Sequence, residues 1–514
     1  MSQKYTFQIP NHGVFYAELG QPIPQGYCRE LINFIPTENN VQMRNGCSKV
    51  VDNTVLPALP YQIASYAFNN AVVQFAPDAV YAVNGTTGVQ VLITDEPEFC
   101  GGTITSTTET NNRLLVCRLG HRPYVIYWNG TDYVVNEMVI NGITAYEDPT
   151  GFARYSERLW AYKQGYNQVY FAEISLTFQG NFIEYSVANR FNSRGKLLYL
   201  DILGFSAGAS VENWLVAVFD SGDIITFNGV QAPEPAPTDF VVTQKITIQQ
   251  RPTAVRLRYG ADLLIVTQEG FQPLADTLQQ NGLAKDFILF SPVRSKYLEL
   301  AALYPVTITG GQDKVLLCFS GSPIALGFKM SSKGWFVIAG WEIQGSTNLL
   351  GQIFFLTNTT GNPSNGLYKA FSGTTDNGRN IKATYASDAV DMLAQIPPNQ
   401  SVGHSIQCAE MQFSTHGTGN FIINAGVSLD FNRPFLSPVI ENFSKVVLWK
   451  DWNDLLWGDL NGTPWWSTDL QQRFTRVPMG GTAQYVQAVI SVDGLYMVDF
   501  FLNSQALFFT VNTN

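Results

Sequence analysis

One stretch of the chain has the residue types and spacing of a nucleophile. Gly204-Phe-Ser206-Ala-Gly208 fits the nucleophile-elbow pattern, in which a strand, a strained turn and a helix present a serine hydroxyl to a carbonyl. The segment that follows, Trp214 to Phe219, reads as a strand and not as the required helix. Ser206 is therefore expected in a Gly/Ser-rich connection between sheets, without a catalytic role. The six cysteines (Cys28, Cys47, Cys100, Cys117, Cys318 and Cys408) include no Cys-x-x-Cys pair, and the nearest two stand 17 residues apart. Such sparse cysteines suit buried free thiols better than a disulfide framework. The four histidines, His12, His121, His404 and His416, are not at metal-ligand spacing. No phosphate-cradling Gly-Lys-Ser/Thr loop occurs, and no Gly-x-Gly-x-x-Gly opens a helix. Ser331-Ser-Lys-Gly-Trp335 approaches the Asp-box of sialidase propellers but lacks its aspartate. No pair among the 41 acidic residues is marked out for glycosidase chemistry. The expectation is no catalytic residue, no metal and no cofactor.

Five tryptophans fall within 18 residues: Trp449, Trp452, Trp457, Trp465 and Trp466. Clustered indoles suit a buried or interface-facing aromatic group. A sugar-stacking platform is the alternative, and with it a glycan-binding or glycan-cleaving protein.

The elements that would hold these residues announce themselves through a period. An apolar residue followed by Asn-Gly recurs at Val83-Asn84-Gly85, Trp128-Asn129-Gly130 and Phe227-Asn228-Gly229, with the variant Phe178-Gln179-Gly180 between the last two. The middle residues are spaced by 45, 50 and 49. Asn-Gly suits two-residue hairpin turns, because both positions need positive φ. Ile140-Asn141-Gly142 and Leu460-Asn461-Gly462 fall out of step. Asn129-Gly-Thr131 and Asn461-Gly-Thr463 also fit the glycosylation sequon, and are read as turn chemistry.

Short apolar runs keep a similar interval: Arg113 to Cys117, Arg158 to Tyr162, Trp214 to Phe219, Asp262 to Val266, Lys314 to Cys318 and Gln352 to Leu356. Their second residues are 45, 56, 48, 52 and 38 apart. Several short strands per 40–50 residues is the signature of propeller blades. The fold class expected is mainly β: a β-propeller of six or seven blades with an additional C-terminal β domain. A meander or sandwich is the competing arrangement. Residues 1–60 form an N-terminal segment that packs on or completes the propeller, 61–378 the propeller and 379–514 the C-terminal β domain. Two helices are expected, at Pro273 to Gln280 and Ser387 to Ala394, and a linker at Ser372 to Arg379.

Composition agrees. Charged residues make up 14% of the 514 and aromatics 13%, with 43 glycines, which excludes an all-helical Ala/Glu/Lys chain. A net charge of −10 without Lys/Arg runs excludes a phosphate-gripping surface. The longest purely apolar run is six residues, so no transmembrane helix is expected. The first ten residues lack an apolar core of signal-peptide length, so cytosolic synthesis is expected.

Four segments in order carry a resemblance. Arg158-Leu-Trp160 runs through Val169-Tyr-Phe-Ala-Glu173, and Gly260-Ala-Asp-Leu-Leu-Ile-Val-Thr267 leads to Gly270-Phe-Gln-Pro273-Leu274. Met330-Ser-Ser-Lys-Gly-Trp335 leads to Gly340-Trp341, and Leu367 to Gly373 is followed by Thr375-Asp-Asn-Gly378 and Ile381. Across 110–390 this resembles the tail hub, nozzle or packaged-DNA stabilisation proteins of short-tailed bacteriophages. The resemblance implies a structural virion protein, not an enzyme. It would be made in the cytoplasm of the host bacterium and assembled as a hexameric ring around a conduit that double-stranded DNA traverses on ejection. It also implies partners: a head–tail adaptor ring on one side, and a tail plug, needle or fibre proteins on the other.

Overall fold

A computed structural model of the protein describes residues 3–16, 22–143, 148–156, 158–172, 180–186, 193–207, 210–229, 241–279, 290–357, 365–395, 404–430, 434–442, 447–448, 466–467 and 471–513. Strand accounts for 61% of the chain and helix for 7%, so sheets carry the fold, and six of them are the blades of a β-propeller. The chain divides into two compact units, one of 49–323 with 342–369, the other of 1–48, 324–341 and 370–514. This division differs from the expected boundaries at 60 and 378.

The first unit is the propeller. Blade 1 comprises Gln62–Tyr66, Ala71–Phe75, Val80–Asn84 and Gln90–Thr94. Blade 2 comprises Ile104–Thr110, Arg113–Arg118, His121–Trp128 and Tyr133–Glu137. Blade 3 has Gly151–Tyr155, Arg158–Tyr162, Gln168–Ala172 and Gly180–Ser186, with the short strand Ile140–Asn141 added in parallel on its outer edge. Blade 4 has Leu197–Ala207, Ser210–Phe219, Asp223–Asn228 and Val241–Thr247. Blade 5 has three strands, Pro252–Tyr259, Asp262–Thr267 and Gly270–Pro273. Blade 6 has Gly345–Leu349, Gln352–Thr357, Gly366–Lys369 and, from far upstream, Ser48–Asp52 as its outer strand. The hairpin of Val306–Gly311 and Lys314–Phe319 lies between blades 5 and 6. First strands neighbour one another in chain order, with Val306–Gly311 standing between those of blades 5 and 6, and that of blade 6 returns beside that of blade 1, so the ring closes.

The apolar runs of the sequence are the second strands, and their composition follows from position. A blade is covered on both faces, so alternate residues are buried in opposite directions and the strand reads as apolar throughout. In blade 2, Leu114 and Val116 enter a core with Tyr66, Val73 and Phe75 of blade 1. Leu115 and Cys117 enter one with Phe152, Ala161 and Tyr170 of blade 3. Trp160, Phe171, Tyr199, Leu215 and Leu263 continue the pattern through blades 3 to 5. Val51, Leu349, Phe354 and Leu356 of blade 6 meet Ile63, Val72 and Val83 of blade 1. Each fully buried Val, Leu, Ile or Phe among them contributes roughly 1.5–3 kcal/mol.

The Asn-Gly repeat marks a different turn from the one its chemistry suggests. Asn84, Asn129 and Asn228 stand where the third strand of blades 1, 2 and 4 gives way to the fourth, and Gln179 lies outside the described residues. These turns are longer than two residues. The Asn129 Oδ1 accepts the Thr131 and Asp132 N–H groups at 2.9 and 2.8 Å, and Asn84 does the same for Thr86 and Thr87. Such Asx turns use the asparagine side chain more than its φ. Two-residue turns with positive φ instead join first to second strands, at Asn111–Asn112, Gln312–Asp313 and Leu350–Gly351.

The helix Leu274–Gln279 agrees with expectation, and a second, Arg294–Ala301, follows the turn Ser291–Val293. The helix expected over Ser387 to Ala394 is not formed. Val390–Asp391 pairs with Tyr485 and Val486, while Asp388 and Asp391 hydrogen-bond nearby backbone N–H groups in competition with helix formation. No helix among the described residues is long and apolar enough to cross a membrane.

The second unit is built on two long antiparallel strands, His404–Leu429 and Tyr485–Thr513, paired along most of their length. Gln3–Phe7 and Lys382–Ala386 flank the latter, while Gln471–Pro478 and Phe435–Asn442 flank the former. The hairpin of Ile324–Lys329 and Gly334–Ala339 belongs here too.

Blade 6 depends on a strand from far away in sequence. A Cβ on Gly366 would come within 2.4 Å of the Val51 carbonyl oxygen in that strand, whereas one on Gly180 of blade 3 would meet nothing within 4 Å. Gly366→Ala is expected to cost about 1–3 kcal/mol by overpacking, and Gly180→Ala far less. Thermal unfolding of both variants is the check, and equal losses would contradict the closure described.

Candidate functional site

Among the described residues the sequence candidates do not converge. The backbone of Ser206 lies in the strand Leu197–Ala207, which pairs directly with Ser210–Phe219, so a hairpin within blade 4 stands where the elbow needs a helix. The segment is thus inside a blade and not, as expected, between two. All six cysteines are free and buried. Burial pushes the Cys318 thiol up to about 12 and that of Cys408 up to about 11, away from reactive thiolates. Among the described residues no three His, Cys, Asp or Glu side chains group to hold a metal ion. Trp449, Trp452, Trp457 and Trp465 lie outside the described residues, as do Asn461 and Gly462. Trp466 begins the short strand Trp466–Ser467, which pairs with Val447–Leu448.

The structure instead brings charge together at two clusters that sequence reasoning missed. In the propeller, Arg256 and Arg258 stand two residues apart on the first strand of blade 5, a spacing that puts both on one face. Both meet Asp201 on the first strand of blade 4. Arg256 Nε donates to Asp201 Oδ2 at 2.6 Å and Arg258 to Oδ1 at 2.7 Å. Arg256 also donates to the Tyr162 hydroxyl at 3.0 Å, and its guanidinium lies 4.4 Å from the Tyr199 ring centroid. Burial raises the Asp201 carboxyl, but the two guanidiniums outweigh it and hold the group below its ordinary range. The available signal was the alternation Arg256-Leu-Arg258, which names no partner.

The other cluster, in the second unit, is centred on Arg44, whose side chain is fully buried. Its Nε donates to Asn33 Oδ1 at 2.7 Å. Its terminal nitrogens donate to both Asp376 oxygens at 2.8 and 2.6 Å, and to the Asn45 and Ala339 carbonyls. The Trp341 ring lies 4.4 Å away, and its Nε1 donates to Asp376 Oδ1. The expected linker Ser372 to Arg379 is therefore a clamp. The Gly46 and Cys47 N–H groups donate to the Gly373 and Thr375 carbonyls, and a Cβ on Gly46 would collide with Thr375. All five guanidinium N–H directions of Arg44 are engaged, so this cluster holds backbone segments together and offers no donor to a ligand.

Fold and clusters together define a β-propeller protein whose charged groups brace its sheets. No family model matches the chain, and no curated protein does. Among solved structures it is similar to the WD40 domain of Neurospora crassa Pan2, with a TM-score of 0.36 and 7% identity over 65% of this chain and 98% of that one. Saccharomyces cerevisiae Sqt1 gives 0.36 and 9% over 68% and 96%, and the computationally designed Ika8 protein 0.36 and 10% over 63% and 99%.

Asp201→Asn leaves two guanidiniums facing an uncharged group and is expected to cost about 2–4 kcal/mol near neutral pH. Because the folded carboxyl titrates below its ordinary value of 3.8, wild type has this stabilisation in full above that pH and loses it as pH falls through the lower folded value. Urea unfolding across the acid range is expected to show the two proteins converging. A difference independent of pH would contradict the role given to the ion pair.

Proposed function

We propose that the chain is a non-catalytic structural subunit of a bacteriophage tail, assembling as a nozzle or hub ring around the DNA conduit. The observation that carries the reading is where the motifs of the resemblance fall. Gly260 to Leu274 spans the second and third strands of blade 5 and the start of its helix. Trp341 and Asp376, from the two later motifs, are the partners of Arg44. The residues that carry the resemblance thus build and brace sheets, as a stiff scaffold requires. A net charge of −10 also suits a wall past which polyanionic DNA must slide without being held. In this reading the subunit works in the virion as a hexamer, docks an adaptor ring and a plug, needle or fibre, and needs no cofactor.

Electron microscopy of the purified chain, alone and mixed with phage tails lacking their distal ring, tests the reading. Six-fold rings, or incorporation into those tails, are expected. A monomer that joins no tail, and instead binds a polysaccharide on a glycan array, would overturn it.

A further inference from the structure

The outer edge of every blade is a row of backbone groups that could pair with another strand, and proteins guard such edges with charge, cover or burial. Most outer strands here are guarded. That of blade 2 ends in Glu137, paired with Arg122, that of blade 4 carries Lys245, and that of blade 6 carries Lys49 and Asp52. The outermost strand of blade 5 is largely buried, with Phe271 against Phe290. Blade 3 carries Glu184 and is covered at Gly180 and Asn181 by Ile140–Asn141, so this molecule itself uses strand addition on a blade.

Blade 1 is the exception. Its outer strand Gln90–Thr94, Gln-Val-Leu-Ile-Thr, has no charged residue, and its described sheet ends there. Val91 and Leu92 are 45% and 50% exposed, and Val89 before them 59%. In an antiparallel ladder alternate residues turn their N–H and C=O away from the partner strand. Since the Val89 carbonyl accepts from Asn84, the residues turned outward are Gln90 and Leu92. A bulge at Ile93 ends the regular edge, and Ile93 itself packs into the core between blades 1 and 2.

Beyond the bulge the uncharged strand gives way to carboxylates. Asp95, Glu96 and Glu98 follow and are exposed, and Asp78 is exposed nearby. Val80 pairs with Thr94, so Asp78 and Asp95, two residues before and one after that pair, stand at this end of the blade. An occupant that satisfies the edge and these charges is an extended segment with alternating apolar residues and a basic end. If it runs antiparallel, as the blade's own strands do, its N-terminal end lies over Asp95.

We infer that the outer edge of blade 1 is a docking site for a partner protein's extended, uncharged strand with lysine or arginine at its N-terminal end, added as a fifth strand at Gln90–Leu92. The recognition is by main-chain hydrogen bonds, with Val91 and Leu92 selecting apolar side chains on the two faces. It does not depend on the tail assignment.

The test uses the full chain and a labelled synthetic peptide of two N-terminal lysines followed by alternating valine and threonine, read by fluorescence anisotropy. Saturable binding is expected, weakened about tenfold or more by Leu92→Lys or Val91→Lys, each at an exposed site and unaltered in thermal midpoint. N-methylation of alternate peptide amides, or glutamates in place of the lysines, is expected to weaken binding similarly. No binding by wild type, or equal binding by both lysine variants, overturns the proposal. So does sedimentation showing a wild-type dimer that Leu92→Lys abolishes, which would give the edge to a second copy of this chain.

Discussion

Face-to-face packing of small sheets is the constraint on which the propeller depends. Each blade has two apolar faces and can bury them only between two neighbours, so no blade is a stable object alone. Leu114 and Val116 look one way while Leu115 and Cys117 look the other, and the same strand thereby welds three blades. A row of such sheets has two ends, and the ring removes them. The last contact, blade 6 on blade 1, sets Leu349, Phe354 and Leu356 against Ile63, Val72 and Val83, and Val51 of the far-upstream strand Ser48–Asp52 joins them.

Charge is scarce in this chain, and some of it is used inside. Asp201 sits between two arginines of the next blade, and Arg44 is enclosed by Asp376, Asn33 and Trp341. Buried pairs add less stability than their short distances suggest, since desolvation opposes them. What they fix is register and angle: Arg256 and Arg258 can meet Asp201 in one alignment of blades 4 and 5. A scaffold that presents faces to other proteins gains from that definition. The same economy makes the uncharged edge of blade 1 conspicuous, because neighbouring outer strands carry lysine or a carboxylate.

The propeller was legible because its second strands are apolar on both faces, a pattern that depends on nothing distant. The runs at Arg113, Arg158, Asp262, Lys314 and Gln352 each begin such a strand. The Asn-Gly repeat gave the right period, although Asn84 and Asn129 act through their side chains and not through paired positive φ. What stayed hidden was long-range. Nothing near Ser48 announces Gly366 as its neighbour in the blade, and nothing near Arg44 announces Asp376. The turn-rich composition of Ser372 to Arg379 looked like a linker because glycine, threonine and asparagine serve tight clamps as well as loose connections. The helix expected at Ser387 failed for a local reason with a distant ally: Asp391 competes for backbone N–H groups, and Tyr485 and Val486 offer a strand to pair with.

Hydrogen exchange of the Lys49–Asp52 amides tests the central claim most directly, because this outer strand ties the start of the propeller to its last blade. The account predicts that amides of this strand hydrogen-bonded into blade 6 are protected to the same degree as their partners in Gly366–Lys369, and open together with them. Exchange throughout Lys49–Asp52 at the rate of an unstructured peptide, with the other strands of blade 6 still protected, would contradict it.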